Sequence, residues 1–416
     1  MHLLEHARRA AVARAAWRLT SAFVAAALAA CSTGAPSSAA DPQRLQAFAA
    51  RGYTALAPGA AHSTGHDWLL AGQPHHLVLL QPSGAKAAPL IVYLPGLGER
   101  ADAGQRWRQA WAEAGYAVLS LQPLAEDAGA WQSDLARVGE FKALGQRQYG
   151  AAAMTRRLRA LIEVLEEAQR RGQSGDAAWQ AIDWRRVAVA GFDLGAYSAL
   201  ALAGEQIRGA EVGTGRVTLR AAIALSPYAN ISEGAMDTRY QALRSPVLSI
   251  TSDIDADPLG LVSGPALRLA PFEGMPGPDK YLLSLQGLAH ARLSGSAALP
   301  GEVSARSQPL RASDGSAEGA DDAILRPPPG GSGGGSQRRR GGSTPAEAAR
   351  AAPTRERPGA ADTGQSETAL QLRQLAVQGI SIAFLDAYLK DDLPAREWLQ
   401  TDARRWLAPA GELRHK

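Results

Sequence analysis

Read for the order of apolar and polar positions, the chain from about residue 69 to 294 alternates between two periods. "HHLVLLQP", "PLIVYLPG", "YAVLSLQP", "RVAVAGF", "RAAIALSP", "PVLSITS" and "KYLLSLQG" are continuous apolar runs of strand length, most of them closed by Gly or Pro. Unbroken apolarity suits strands covered on both faces, whereas strict alternation would mean one wet face. Between these runs lie helical patterns. In "AAAMTRRLRALIEVLEEAQRR", Met154, Leu158, Leu161, Ile162 and Leu165 fall on one face at spacings of three and four. Such alternation predicts an α/β fold with a mostly parallel sheet between two helical layers.

The pattern stops near Ser294. "RPPPGGSGGGSQRRRGGSTPAEAARAAPTRERPGAADTGQ" has almost no large apolar side chains to offset the entropy of ordering, so residues 295–365 are expected to be a disordered, low-complexity insertion. The pattern resumes in "ETALQLRQLAVQGISIAFLDAYLKDD", where Leu372, Leu375, Ala376, Ile380, Phe384 and Leu385 keep helical spacing. A second helix is expected over "PAREWLQTDARRWL", opened by Pro394 where proline is tolerated. Residues 366–416 therefore complete the domain begun at 59–294, and the insertion interrupts one domain.

At the start, residues 1–30 carry Arg8, Arg9, Arg14 and Arg18 against Glu5, followed by the apolar "LTSAFVAAALAA". A run of roughly 12 such residues is too short to span a bilayer and fits the core of an export signal. "LAAC", ending in Cys31, resembles the bacterial lipoprotein signal, in which the cysteine carries the lipid; Ser32 after it implies the outer membrane, facing the periplasm. Residues 31–58 then read as a tether and a short helix. Cys31 is the only cysteine, so no intramolecular disulfide can form. The chain's formal charge of +4 falls to +1 without the first 30 residues, which gives no reason to expect a nucleic-acid partner.

Candidate chemistry centres on "VAVAGFDLGAYSAL". Gly191-Phe192-Asp193-Leu194-Gly195, placed between a strand and a helix, matches a strained turn that lifts its central side chain out of the sheet. The blander reading is a strand-to-helix turn whose aspartate caps the helix. Downstream, "PVLSITSDIDADPLG" runs from a strand into Asp253, Asp255 and Asp257, and "KYLLSLQGLAHARLSG" delivers His290. Of the eight histidines, His290 alone follows the turn within the predicted strand–helix alternation, making it the candidate general base. The Asp-x-Asp-x-Asp spacing is not a calcium loop, because Pro258 and Gly264 stand where glycine and a bidentate carboxylate are needed.

Taken together, "LPGLGE", "GFDLGA", "ITSDIDADPLG", "KYLLSLQGLAHARLSG" and "IAFLDAYLKDD" resemble the dienelactone-hydrolase group of the α/β-hydrolase superfamily. Bacterial relatives of platelet-activating-factor acetylhydrolase and polyester hydrolases share that circle. The resemblance implies an α/β-hydrolase fold of about eight strands without a large cap. It places the nucleophile at Asp193, the orienting acid at Asp255 with Asp257 second, and the histidine at His290. The oxyanion donors would be the backbone N–H groups of Leu97 and Leu194. Family members often have His-Gly where this chain has Pro95-Gly96, a change that leaves Leu97 free to donate. No metal or other cofactor is called for, and the expected partner is a small-molecule or lipid-like substrate.

An aspartate at this turn departs from the serine of esterases. A carboxylate arrives ionised and needs no base to attack; its natural target is a saturated carbon, as in epoxide hydrolases and haloalkane dehalogenases. Those families usually carry a lid between the sixth and seventh strands, where this chain offers only roughly 18 residues, with Tyr228 and Tyr240. Three readings follow. The leading one is ester or lactone hydrolysis; the others are attack at saturated carbon, and a catalytically degenerate, ligand-binding surface lipoprotein. The working picture is an ionised Asp193 hydrogen-bonded to His290 in an open cleft walled by Trp131, Tyr228 and Phe272.

Overall fold

The computed structural model describes residues 40–55, 59–211, 217–229, 235–296 and 367–416. The expected signal and most of the tether, and all of the insertion but its first two residues, lie outside the described residues.

Nine strands form one sheet in the order β1-β2-β4-β3-β5-β6-β7-β8-β9. They are β1 (Ala61–Leu70), β2 (Gln73–Pro82), β3 (Ala88–Leu94), β4 (Ala117–Leu121), β5 (Ile182–Phe192), β6 (Leu219–Leu225), β7 (Val247–Ser252), β8 (Lys280–Leu285) and β9 (Gly411–His415). From β4 through β8 every neighbouring pair is parallel. Antiparallel pairing joins β1 to β2, β2 to β4 and β8 to β9. The seven apolar runs are β2 to β8. All seven residues of β3 are buried, as the continuous pattern requires.

Successive residues of each strand feed opposite layers. On one face Ile91, Tyr93, Ala190, Ile223 and Leu283 pack with Trp107, Trp111 and the Leu372, Ile380 and Phe384 side of the Glu367–Leu389 helix. On the other, Leu90, Val92, Val189, Ala224 and Val247 pack against Leu161, Val164 and Leu165 of the Ala151–Gln173 helix. The described residues on either side of the insertion belong to one compact unit. This is an α/β-hydrolase-like architecture.

Several expectations shift in detail. The C-terminal "PAREWLQTDARRWL" is two helices, Leu393–Thr401 and Ala403–Leu407, with Pro394 one residue into the first. Gly295 and Ser296, assigned to the insertion from sequence, are held by the domain: Arg106 N–H donates to Gly295 O at 3.0 Å, and Ser296 Oγ accepts from Gly104 N–H at 3.0 Å and donates to Glu99 Oε1 at 2.9 Å. Between β6 and β7 the only described helix is the short Met236–Tyr240.

Candidate functional site

Asp193 sits between β5 and the Leu194–Ala203 helix with φ 53° and ψ −113°, a left-handed backbone that costs a non-glycine residue about 1–3 kcal/mol. The neighbouring glycines make the turn possible. A Cβ on Gly195 would run into Leu94 O, and one on Gly191 into the backbone of Gly195. Asp193 N–H donates to Leu225 O at 3.0 Å, which ties the turn to the end of β6. Its side chain makes no capping hydrogen bond to the helix, so the capping reading fails.

His290 begins the short His290–Leu293 helix after β8. Its Nδ1 lies 2.8 Å from Asp255 Oδ1, and its Nε2 faces Asp193 Oδ1 at 4.0 Å. Three strand ends thus bring Asp193, Asp255 and His290 together. Asp257 is elsewhere engaged: its carboxylate accepts the backbone N–H groups of Leu259, Leu261 and Val262. Asp253 accepts Gly287 N–H and so fixes the loop that presents His290. His415 also lies on a strand, β9, but stacks on Tyr281 at the sheet edge.

Asp255 is wholly buried, and burial alone would favour its neutral form. The His290 hydrogen bond, the Arg268 and His290 charges and the Thr251 hydroxyl at 2.8 Å outweigh that penalty and hold its pKa below the usual aspartate value. Ser226, at the end of β6, donates from Oγ to Asp255 Oδ1 at 2.8 Å and lies 2.9 Å from His290 Nδ1. Like Asp193 it has a positive φ, 54°. Imidazole Nδ1 has one hydrogen, and the carboxylate at 2.8 Å is its acceptor; Nε2 is left to face Asp193.

Around Leu97 the turn after β3 is saturated by its own chain. Gly96 N–H donates to Glu99 Oε2 at 2.9 Å, Gly98 N–H to Asp127 O at 2.8 Å, and Trp131 Nε1 to Leu97 O at 3.1 Å. Among the described residues neither Leu97 N–H nor Leu194 N–H has an acceptor; the latter is an unpaired donor of a first helical turn. Two backbone N–H groups, one in the turn after β3 and one at the start of the Leu194–Ala203 helix, are therefore without an acceptor among the described residues.

The surroundings differ from the expected open cleft. Asp193 is only 5 % exposed, and at 4.0 Å its carboxylate is beyond hydrogen-bond reach of His290. Tyr228 does line the site, as expected, within a cluster that holds Leu97, Leu194, Tyr149 and Tyr197. Its ring is 4.7 Å from both other tyrosines. Trp131 lies over the Leu97 turn. Phe272 does not belong here: its ring lies under Arg414 and Lys416 at the β9 edge. Tyr240 is buried in the core on the side of the Ala151–Gln173 helix.

Three residues of the site carry no sequence signal: Ser226, Arg268 and Tyr149. The Tyr149 hydroxyl is buried without a completed hydrogen bond. Burial first, then the charge and contact of Asp193, push its pKa well above that of an ordinary phenol, so it stays a neutral O–H beside the carboxylate. A functional role for it could have been suspected only from its place in space. Among the described residues no three His, Cys, Asp or Glu side chains converge as a metal site.

Compared with known proteins, the chain matches no family model and no curated protein.

Proposed function

We propose that this protein is a hydrolase of the dienelactone-hydrolase and esterase type, cleaving carboxylic ester or lactone bonds in a small or lipid-like substrate. The observation that carries the reading is the 4.0 Å space between His290 Nε2 and Asp193 Oδ1, with Nδ1 held by Asp255. A serine would have to sit within hydrogen-bond reach of the imidazole to lose its proton. A carboxylate has none to lose; it can instead share with the imidazole a water molecule that approaches both from the side.

In this scheme the substrate carbonyl oxygen points to the Leu97 and Leu194 N–H groups. Water, held by Asp193, gives a proton to His290 Nε2 as its oxygen bonds to the carbonyl carbon, and Asp255 stabilises the imidazolium. The tetrahedral intermediate then collapses, breaking the bond to the alcohol oxygen, which takes the proton from His290. The acid and alcohol leave. Asp193, by holding the water while His290 acts as base, avoids the mixed anhydride that its direct attack on an ester would form.

The Asp193 side chain also supports a second reading, attack on a saturated carbon. Asp193 would displace the leaving oxygen or halide and become an alkyl ester. His290 would then activate water against that ester. The neutral Tyr149 O–H favours this reading, since an opening epoxide needs a proton donor.

Both are tested on the full chain with short-chain nitrophenyl esters, a lactone and epoxides, in water enriched in heavy oxygen. The first reading expects ester turnover abolished by His290→Ala and label in the product acid alone. Label in Asp193 after epoxide turnover establishes the second. A parent inert on all substrates, with Asp193→Ser gaining esterase activity, identifies a ligand-binding relative and rejects both.

We also propose that Cys31 is lipidated and anchors the protein in the bacterial outer membrane, facing the periplasm, on the strength of "LAAC" and Ser32. Incorporation of labelled fatty acid by the parent and not by Cys31→Ser is the expected result.

A further inference from the structure

Arg268 lies on the 3₁₀ helix Pro265–Leu269 and is 1 % exposed. Nη1 donates to Ser226 O and Pro227 O, both at 3.1 Å, and Nε to Asp255 O at 3.4 Å. These are main-chain acceptors, so the guanidinium is held in place without being neutralised by a bidentate carboxylate. Its charge is presented instead to the acid–base pair: Nε stands 3.5 Å from Asp255 Oδ2 and Nη2 3.4 Å from His290 Nδ1. Because Nδ1 donates its one hydrogen to Asp255, it cannot accept from Arg268. The second contact is a cation against the edge of the imidazole.

That cation meets a problem created by the turn aspartate. A hydroxyl at position 193 would leave His290 beside one carboxylate. Here two carboxylates face it, Asp255 on Nδ1 and Asp193 on Nε2. Both favour the imidazolium, which has no lone pair with which to take a proton from water. The other neighbours of His290 are the Phe192 ring at 4.9 Å, the Ser226 hydroxyl and, on its own helix, Arg292. Neither the ring nor the hydroxyl carries charge. Arg268 is the buried cation placed to offset the extra carboxylate.

We propose that Arg268 is a positioning residue whose charge offsets that of Asp193 at the imidazole of His290. The inference rests on the reading of His290 as the base, but its test does not depend on finding a substrate. The second carboxylate is balanced at the back of the histidine and not at the face where substrate binds.

The experiment is an NMR titration of the His290 imidazole in the full chain. Replacement Arg268→Gln removes the charge and keeps a donor; its His290 midpoint is expected to rise by about one to three pH units. In Arg268→Lys, which keeps the charge, the midpoint should stay near the parent value. Asp193→Asn should lower it by a similar amount, and this third variant answers the question even where Arg268→Gln fails to fold. A folded Arg268→Gln protein with an unchanged midpoint overturns the proposal, as does an Asp193→Asn midpoint that does not fall. If ester turnover is found, the acid limb of its pH profile should move up in Arg268→Gln with the titration. Absence of turnover in every protein, with the midpoints moving as stated, rejects the esterase reading and leaves the role of Arg268 intact.

Discussion

Arg157 and Asp127 face each other as a bidentate pair sealed from solvent, Nε to Oδ2 at 2.8 Å and Nη2 to Oδ1 at 2.9 Å. The pair supports the candidate oxyanion turn from behind, because Asp127 O accepts Gly98 N–H, and Arg157 Nη2 reaches Gln148 O, next to Tyr149. Replacement Arg157→Met strands a buried carboxylate. The expected loss is about 3–5 kcal/mol, measured by urea unfolding.

Gly195→Ala tests the close approach of the turn helix to β3. The new methyl would meet Leu94 O and Pro95 O, both main-chain atoms of buried structure that cannot swing aside. Loss of soluble protein, or destabilisation of more than about 4 kcal/mol, is expected. Gly59→Ala, which meets nothing within 4 Å, is the matched control and should stay within about 0.5 kcal/mol of the parent in the same thermal melts.

A gentler change probes the candidate oxyanion turn itself. Gly98 has φ 79°, and a Cβ there would run into the Trp131 ring. In Gly98→Ala the domain should fold with Trp131 displaced, visible as a change in tryptophan fluorescence. Ester turnover should drop by about 10²-fold, the scale of losing one oxyanion donor.

Tyr149→Phe separates stability from function. Deleting a hydroxyl whose neighbour is the buried Asp193 carboxylate should lower stability by no more than about 1 kcal/mol, since its hydrogen bond is not fully formed. Turnover should nonetheless fall, since the group lost is the neutral donor beside Asp193. Equal activity in parent and variant would mean that the phenol only fills space.

Asp255 sets an acid limit on stability. Its pKa is lower folded than unfolded, so folding is favoured wherever the carboxylate is ionised. That contribution is complete above the ordinary aspartate value of 3.8 and is lost as pH falls through the lower folded value. Stability should therefore decline as pH drops below about 4, and Asp255→Asn should flatten that part of the curve, followed by circular dichroism.

What the sequence could announce was decided by burial. Strands β3, β5 and β7 lie in the middle of the sheet with both faces covered, so their apolar runs are unbroken. Edge strands give no such run: "AHSTGHDWLL" of β1 buries only Trp68 and "GELRH" of β9 only Leu413, and both pass for loop. Missing β9 also misplaced Phe272, whose neighbours Arg414 and Lys416 belong to that edge. At the site, the glycines around Asp193 betray the turn because a backbone collision demands them. Arg268 and Ser226 leave no comparable trace; an arginine 22 residues before the histidine it touches becomes informative only once the strands are aligned.

Closure of the sheet by β9 bears on how this chain acquires its shape. The last strand pairs with β8 from Gly411 to His415, while Asp41 N–H is bound by Thr368 Oγ1 and Trp406 Nε1 by Phe48 O. An emerging polypeptide thus has one face of the sheet covered only by the Trp107 and Trp111 helix until residues beyond 367 have left the ribosome. Completion must await release of residues 367–416, and a nascent chain halted near residue 296 would leave the rest of that apolar face uncovered.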